Sequence, residues 1–239
     1  MTAFLGNILG NLLKFVYDII ATIGAEPENF SFYAMAIIVT TILFKLLLLP
    51  LSIKQAKATQ KMGELQPKLQ EIQNKYKKDP QTQQIKMSEL YKEHNYNPAS
   101  GCLMLIVQMP IILAFFKVMR EPVIFAFKDP GMYEAMNKSF LWISNLENPD
   151  PMLWGLPLLA AATTYLQSLT MQPPTTEGSN PQMESTQKTM NIFLPIMIFI
   201  SARTFPAGLA LYWVISNGFG VVQQLLIRSL TKVEVKEGN

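Results

Sequence analysis

Cysteine and histidine are nearly missing from this chain of 239 residues, which has one of each, Cys102 and His94. A lone cysteine excludes an intrachain disulfide and a zinc site built on spaced cysteines. A lone histidine leaves no His-based metal site or catalytic relay, and the two residues read as a small packing group and a surface polar group. Charge is scarce too. Asp, Glu, Lys and Arg make up 15% of the chain, where a soluble domain usually carries about 25%. The net charge of +3 is too small to argue for nucleic acid on its own.

The charges that remain are clustered, and long apolar runs lie between the clusters. Residues 32–53 are apolar except for small hydroxyls and Lys45. At about 1.5 Å per residue such a run covers the roughly 30 Å hydrocarbon layer of a bilayer. Pro50 is expected to kink this first span near its inner end. Further spans are expected from Asn97-Pro98 to Met119, from Met152 to Met171 (broken by Pro157), from Lys188 to Ala202, and from Leu209 to Ile227. At the amino end, Phe4, Leu5, Ile8, Leu9, Leu12, Val16, Ile19, Ile20 and Ile23 oppose Asn7, Asn11, Lys14 and Asp18. A helix with two such faces suits the membrane interface, with a short span as the alternative. A basic start and a convincing cleavage site are lacking, so it is not read as a signal peptide.

Between the first two spans the composition changes. Residues 54–97 hold nine lysines against five acids, and Met62, Leu65, Leu69, Ile72 and Tyr76 recur three or four apart. That stripe marks a helix packed on a partner. Pro67 is expected to start or kink it and Asp79-Pro80 to stop it, with a second helix running to about His94. A solvated basic hairpin fits better than a nucleic-acid arm, because acids are interspersed among the lysines. Residues 121–151 carry two lysines against five acids. Positive-inside bias then puts the amino terminus outside and the carboxyl terminus in the cytoplasm.

The whole reads as an all-α integral membrane protein. Its segments are an extracytoplasmic interfacial helix (1–30), a first span (31–57), a cytoplasmic helical hairpin (58–96), a second span (97–120) and an extracytoplasmic loop (121–151). A third span (152–171), a cytoplasmic loop (172–187), fourth and fifth spans (188–204 and 205–228) and a cytoplasmic tail (229–239) follow.

Lys45 is the residue that asks for an explanation. A lysine inside a span costs several kcal/mol unless it snorkels, pairs or meets water. No Asp or Glu falls within any of the five runs, so an intramembrane salt bridge is excluded as its partner. Snorkelling to the inner interface and a water-containing cavity remain. Gln108, Tyr165, Gln167, Tyr212, Trp213, Ser216 and Asn217 could line such a cavity or simply join helices. Lys117 and Arg203, near the outer ends, read as snorkelling cations. No nucleophile–base set or metal cluster assembles, so no catalytic residue, metal or cofactor is expected.

The runs NPASGCLMLIVQMPI (97–111), FPAGLALYWVISN (205–217), LQPKLQEIQNKYKKDP (65–80) and ILFKLLLLPLSIKQ (42–55) together resemble the YidC/Oxa/Alb family of membrane protein insertases. The resemblance covers nearly the whole chain, with the elements in the same order. It implies five transmembrane helices around a polar groove open to the cytoplasm and to lipid but closed toward the outside. It also implies a groove cation, usually arginine, for which Lys45 stands here. Gln108 and Trp213 match the family's other groove positions. The implied partners are nascent membrane proteins, with the ribosome, signal-recognition machinery, the Sec translocon and phospholipid as further candidates; no specific nucleic acid is expected. The implied location is the bacterial plasma membrane. Two departures stand out. Lysine keeps a point charge but lacks the guanidinium fork, and Leu103-Met104 replaces the proline that many relatives carry after Gly-Cys. A small transporter and a passive assembly scaffold are the competing classes; the missing intramembrane carboxylates and paired repeats argue against the first.

Overall fold

The computed structural model describes residues 2–97, 100–171 and 181–237. Among these, regular structure is helical, apart from isolated bridges that tie Phe30 and Ile143 to Phe140. α1 (Thr2–Ala21) is followed by α2 (Phe32–Leu47), α3 (Leu49–Lys75), α4 (Pro80–Glu93) and α5 (Ser100–Arg120). Two short helices come next, α6 (Pro122–Phe125) and α7 (Pro130–Ala135), before α8 (Leu156–Met171), α9 (Pro181–Ala202) and α10 (Ala207–Glu237). Pro98, residues 172–180 and the side chains of Cys102, Leu103 and Met104 lie outside the described residues.

By length and composition, Thr2–Ala21 and Ala207–Ser229 can each cross a membrane, and α2 with α3 makes a third candidate if the bent pair counts as one span. Lys188–Ala202 is a shorter apolar stretch within α9.

The bend expected at Pro50 is present, whereas Pro67 and Pro157 act differently from expectation. The chain bends by 61° between α2 and α3, at Leu48, two residues before Pro50, which occupies the first turn of α3. Proline tolerates a first turn because its missing N–H has no intrahelical role there, while its ring disfavours continuing the preceding helix. Pro157 likewise falls at the start of α8 and does not break it. Pro67 lies inside α3 without ending it. The turns around it are held by Met62, Leu65, Leu69 and Ile72, which pack against Met87, Leu90 and Tyr91 of α4. Asp79 accepts a hydrogen bond from Thr82 N at 3.1 Å and caps α4. α9 begins before Lys188, and α10 continues to Glu237, through most of what the sequence suggested was a tail.

One end of the bundle is closed by residues 121–155, and it is closed through backbone groups. The first N–H groups of a helix have no intrahelical partner and must find one elsewhere. For α2, Ser31 Oγ accepts from Ala34 N at 3.1 Å, Glu26 accepts from Phe32 N, and Ser31 N donates to Ser139 O. For α8, the buried Asp150 carboxylate accepts from Leu156 N at 2.7 Å, Met152 N at 2.8 Å and Trp142 Nε1 at 3.0 Å. For α10, Ala207 N and Gly208 N donate to the carbonyls of Asn148 and Leu146. The space between is filled by aromatic rings: Phe127 stacks on Tyr133 at 5.4 Å and meets Tyr17 and Tyr33. Lys138 is nearly buried, 3.8 Å above the Tyr133 ring and 3.1 Å from the Glu147 carboxylate.

α1 lies against this same closed end. Its first residue described, Thr2, borders Leu113–Glu121 of α5 and the turn after it, and Tyr17, four turns on, meets Phe127. Gly6, Leu9, Gly10, Leu13 and Val16 form the buried face, whereas Phe4, Ile8, Phe15 and Ile19 stay exposed. Gly10 carries the closest contact: a Cβ there would overlap the Phe125 carbonyl.

Two outcomes follow. Gly10→Ala should lower the thermal midpoint of the detergent-solubilised protein, although alanine gains about 1 kcal/mol over glycine in a helix, because the obstacle is backbone. Burial pushes the Glu147 carboxyl up, but the Tyr133 hydroxyl, Lys138 and Asn145 together hold it below the usual glutamate value. A lowered carboxyl stabilises the fold above its unfolded-state pKa and loses that contribution as pH falls through the folded one. Thermal stability should therefore drop as pH falls below about 4.5, the ordinary value, and Glu147→Gln should flatten that acid limb of the profile.

Candidate functional site

The opposite end of the bundle is built from different residues. Along α10, Tyr212, Trp213, Ser216, Asn217, Gly220, Gln223 and Gln224 follow at helical spacing and share one broad face. On α2, Thr41 and Lys45 are one turn apart, and Thr41 Oγ1 returns its proton to the Ile37 carbonyl at 2.7 Å. Lys45 is thirteen residues from the start of α2, about 20 Å from the closed end. Just beyond it the bend at Leu48 swings α3 aside.

That bend opens a cleft. Lys45, Ser52, Gln55, Ala56 and Thr59 line it from α2 and α3, Gln167 and Met171 from α8, and Gly220, Gln223 and Gln224 from α10. Its volume is about 40 Å³, enough for a few water molecules. Among the described residues no carboxylate lines it. Lys45 is half-buried, and among the described residues no hydrogen bond or ion pair reaches its ammonium. The charge is therefore surrounded by amide and hydroxyl dipoles and by the water the cleft can hold.

The other residues singled out from the sequence separate into groups. Gln167 shares the cleft with Lys45. Gln108 and Tyr212 pair with each other, Gln108 Nε2 donating to Tyr212 Oη at 3.1 Å, and Tyr212 is buried and stacked on Phe115. Asn217 Nδ2 donates to Thr164 Oγ1 at 2.8 Å and so joins α10 to α8. Trp213 is packed in the core beside Phe205, and Tyr165 is exposed and apart from the cleft. Ser216 is buried on the Tyr212 side of α10. Of the residues singled out from the sequence, only Lys45 and Gln167 border the cleft, while Gln108–Tyr212 and Asn217–Thr164 are two separate pairs that join helices.

Sequence reasoning missed Gly220, Gln223, Gln224, Ser52, Gln55 and Thr59. The glycine has a geometric role: a Cβ at Gly220 would come within 2.5 Å of Gln167 Nε2. The i, i+3, i+4 recurrence of small and amide residues after Ser216 was the available signal. With Cys102 replaced by serine, Lys45→Cys should react readily with a membrane-impermeant maleimide added from the hairpin side. Adding Gly220→Leu should slow that reaction several-fold by filling the cleft; an unchanged rate would mean that access does not run past Gly220.

Comparison with known proteins identifies the family. The family model described as 60Kd inner membrane protein matches residues 27–235. A protein named membrane protein insertase YidC from Clostridium perfringens is 39% identical over 95% of this chain and 93% of its own length. Another of that name, from Oceanobacillus iheyensis, is 45% identical over 82% of this chain and 74% of its own. A third, from Fusobacterium nucleatum, is 40% identical over 94% of this chain and 97% of its own. Matches of this identity along nearly the full length leave no large segment unaccounted for, and the chain belongs to the 60Kd inner membrane protein family, together with the YidC insertases.

Proposed function

We propose that this protein is a membrane protein insertase and chaperone, which guides transmembrane segments of nascent clients from the cytoplasm into the bilayer through a hydrated, positively charged groove. The observation that carries the reading is the unpaired Lys45 ammonium in a polar cleft at one end of a bundle whose other end is closed by helix caps and aromatic packing. In this reading α2, α5, α8, α9 and α10 are the five spans. α1 lies in the outer interface, its exposed Phe4, Ile8, Phe15 and Ile19 in lipid. The nine lysines of residues 54–97 face the cytoplasm of a bacterial cell, with the amino terminus outside.

The mechanism follows from electrostatics and burial. Attraction between unit charges grows as water is excluded, from about 1 kcal/mol at 4 Å in bulk water to about 4 kcal/mol at an effective dielectric constant of 20. An acidic client tail entering from the hairpin end is drawn toward Lys45, and the cleft's amides and water replace part of its hydration. The client's apolar helix then moves sideways over the exposed Leu43, Leu46 and Leu47 into lipid, and its burial supplies the driving force. No covalent step is required, so no catalytic residue is assigned. The basic hairpin docks the ribosome, the client or the signal-recognition machinery, or rests on anionic lipid.

In reconstituted vesicles, Lys45→Ala should slow insertion of a single-span client with an acidic translocated tail by about tenfold, equivalent to roughly 1.4 kcal/mol on the barrier. Lys45→Glu should be worse, and Lys45→Arg should remain active. Equal insertion by wild type and Lys45→Ala would sink the charge-attraction mechanism, and silence of Lys45→Leu as well would favour a passive scaffold.

A further inference from the structure

A second cationic site lies at the closed end, far from Lys45. The last two turns of α5 place Leu113, Phe116, Lys117 and Arg120 on one face, at the i, i+3, i+4, i+7 positions. That face, Thr2 at the start of α1 and Glu121 enclose a cavity of about 300 Å³, many times the Lys45 cleft and the size of a small ligand pocket. Arg120 sits over the Phe116 ring, 5.3 Å from its centroid, an arrangement that holds the guanidinium plane while leaving its edge donors free. Lys117 is half-buried. Among the described residues neither cation forms an ion pair, and Glu121, although it lines the same cavity, is not within ion-pair distance of either.

Snorkelling accounts for a cation that reaches open water. It does not account for two cations of unlike geometry converging with an apolar floor on one concavity. Below the cavity, Met109 and Leu113 continue down α5, one turn apart and both exposed. The chemistry that fits is a phosphodiester at the top and hydrocarbon beneath it. We propose that Lys117 and Arg120 bind the headgroup phosphate of an anionic phospholipid, with its acyl chains lying along Leu113 and Met109. The lysine supplies a point charge and the arginine a planar pair of donors, and Glu121 disfavours a doubly charged phosphate more than a singly charged diester. In the orientation proposed above, the lipid belongs to the outer leaflet and braces the junction of α1 with α5. The assignment rests on reading α5 as a span, and client insertion is no part of it.

Native mass spectrometry of the full chain released from detergent tests this, with phosphatidylglycerol and phosphatidylcholine of identical chains offered in competition. Wild type should retain one phosphatidylglycerol in preference. Lys117→Gln and Arg120→Gln should each weaken that retention roughly fivefold, the worth of one cation near a membrane surface. Lys117→Arg should preserve it and Glu121→Gln should tighten it, which keeps the test decisive if a charge-removing variant fails to fold. Equal retention of the two lipids by wild type, or an unchanged preference in the Lys117→Gln/Arg120→Gln double variant, overturns the site. Displacement of the lipid by millimolar inorganic phosphate would reassign it to free phosphate and overturn the lipid proposal. Lys45→Ala should leave the preference intact, so a failure here is distinguishable from a failure of the insertase reading.

Discussion

The structure depends on where the first backbone N–H groups of three helices go. α2, α8 and α10 all begin at the same end, and an unsatisfied amide in or beside hydrocarbon costs several kcal/mol. The segment 121–155 answers two of them, Asp150 capping α8 and the Leu146 and Asn148 carbonyls taking the amides of Gly208 and Ala207. It ties in the third through Ser139 O, which accepts from the amide of the α2 cap Ser31, while Ser31 Oγ and Glu26 take the first amides of α2 itself. One acidic, loop-rich stretch therefore fixes the relative positions of three helices. It also gives the amides at the starts of α8 and α10 partners within the protein.

Among the described residues the far end shows no such set of caps, and the difference is again a matter of backbone. Pro50 prevents α2 from continuing straight into α3, so the chain bends at Leu48 and α3 departs at 61°. A straight helix would have kept Ser52, Gln55 and Thr59 on the line of α2. The bend instead sets them opposite Gln167 and the glutamines of α10, around Lys45. A buried charge that would be intolerable against leucine is acceptable among side-chain amides and a few waters. Among the described residues no carboxylate shares the cleft with that charge.

Lysine in place of arginine at such a position changes the kind of recognition rather than its sign. A guanidinium presents a fixed fork, whereas an ammonium on a four-carbon stem makes no demand on the direction of its partner. A cleft whose lining offers amides on several sides suits a mobile point charge that needs no fixed direction of contact. At the closed end, where Arg120 is held over Phe116, the opposite choice fits a ligand of defined shape.

The sequence alone determined the all-helical class, the apolar runs, the basic hairpin and the anomaly at Lys45, because each is local: hydrophobic period, charge clustering and a lysine amid leucines are visible within one or two turns. The stripe Met62, Leu65, Leu69 and Ile72 announced its partner helix for the same reason. Only the tertiary structure decided which polar residues meet. Gln108 turned to Tyr212 and Asn217 to Thr164, while Gln167, spaced no differently, came to line the cleft beside Gly220 without bonding Lys45. These pairings join residues on different helices, more than fifty positions apart in the first two cases. They depend on helix rotation and crossing, which periodicity within a single helix does not encode. The expected effects of Pro67 and Pro157 failed for a related reason. A proline removes one donor wherever it stands, but whether that starts, bends or merely interrupts a helix is settled by what packs against the neighbouring turns.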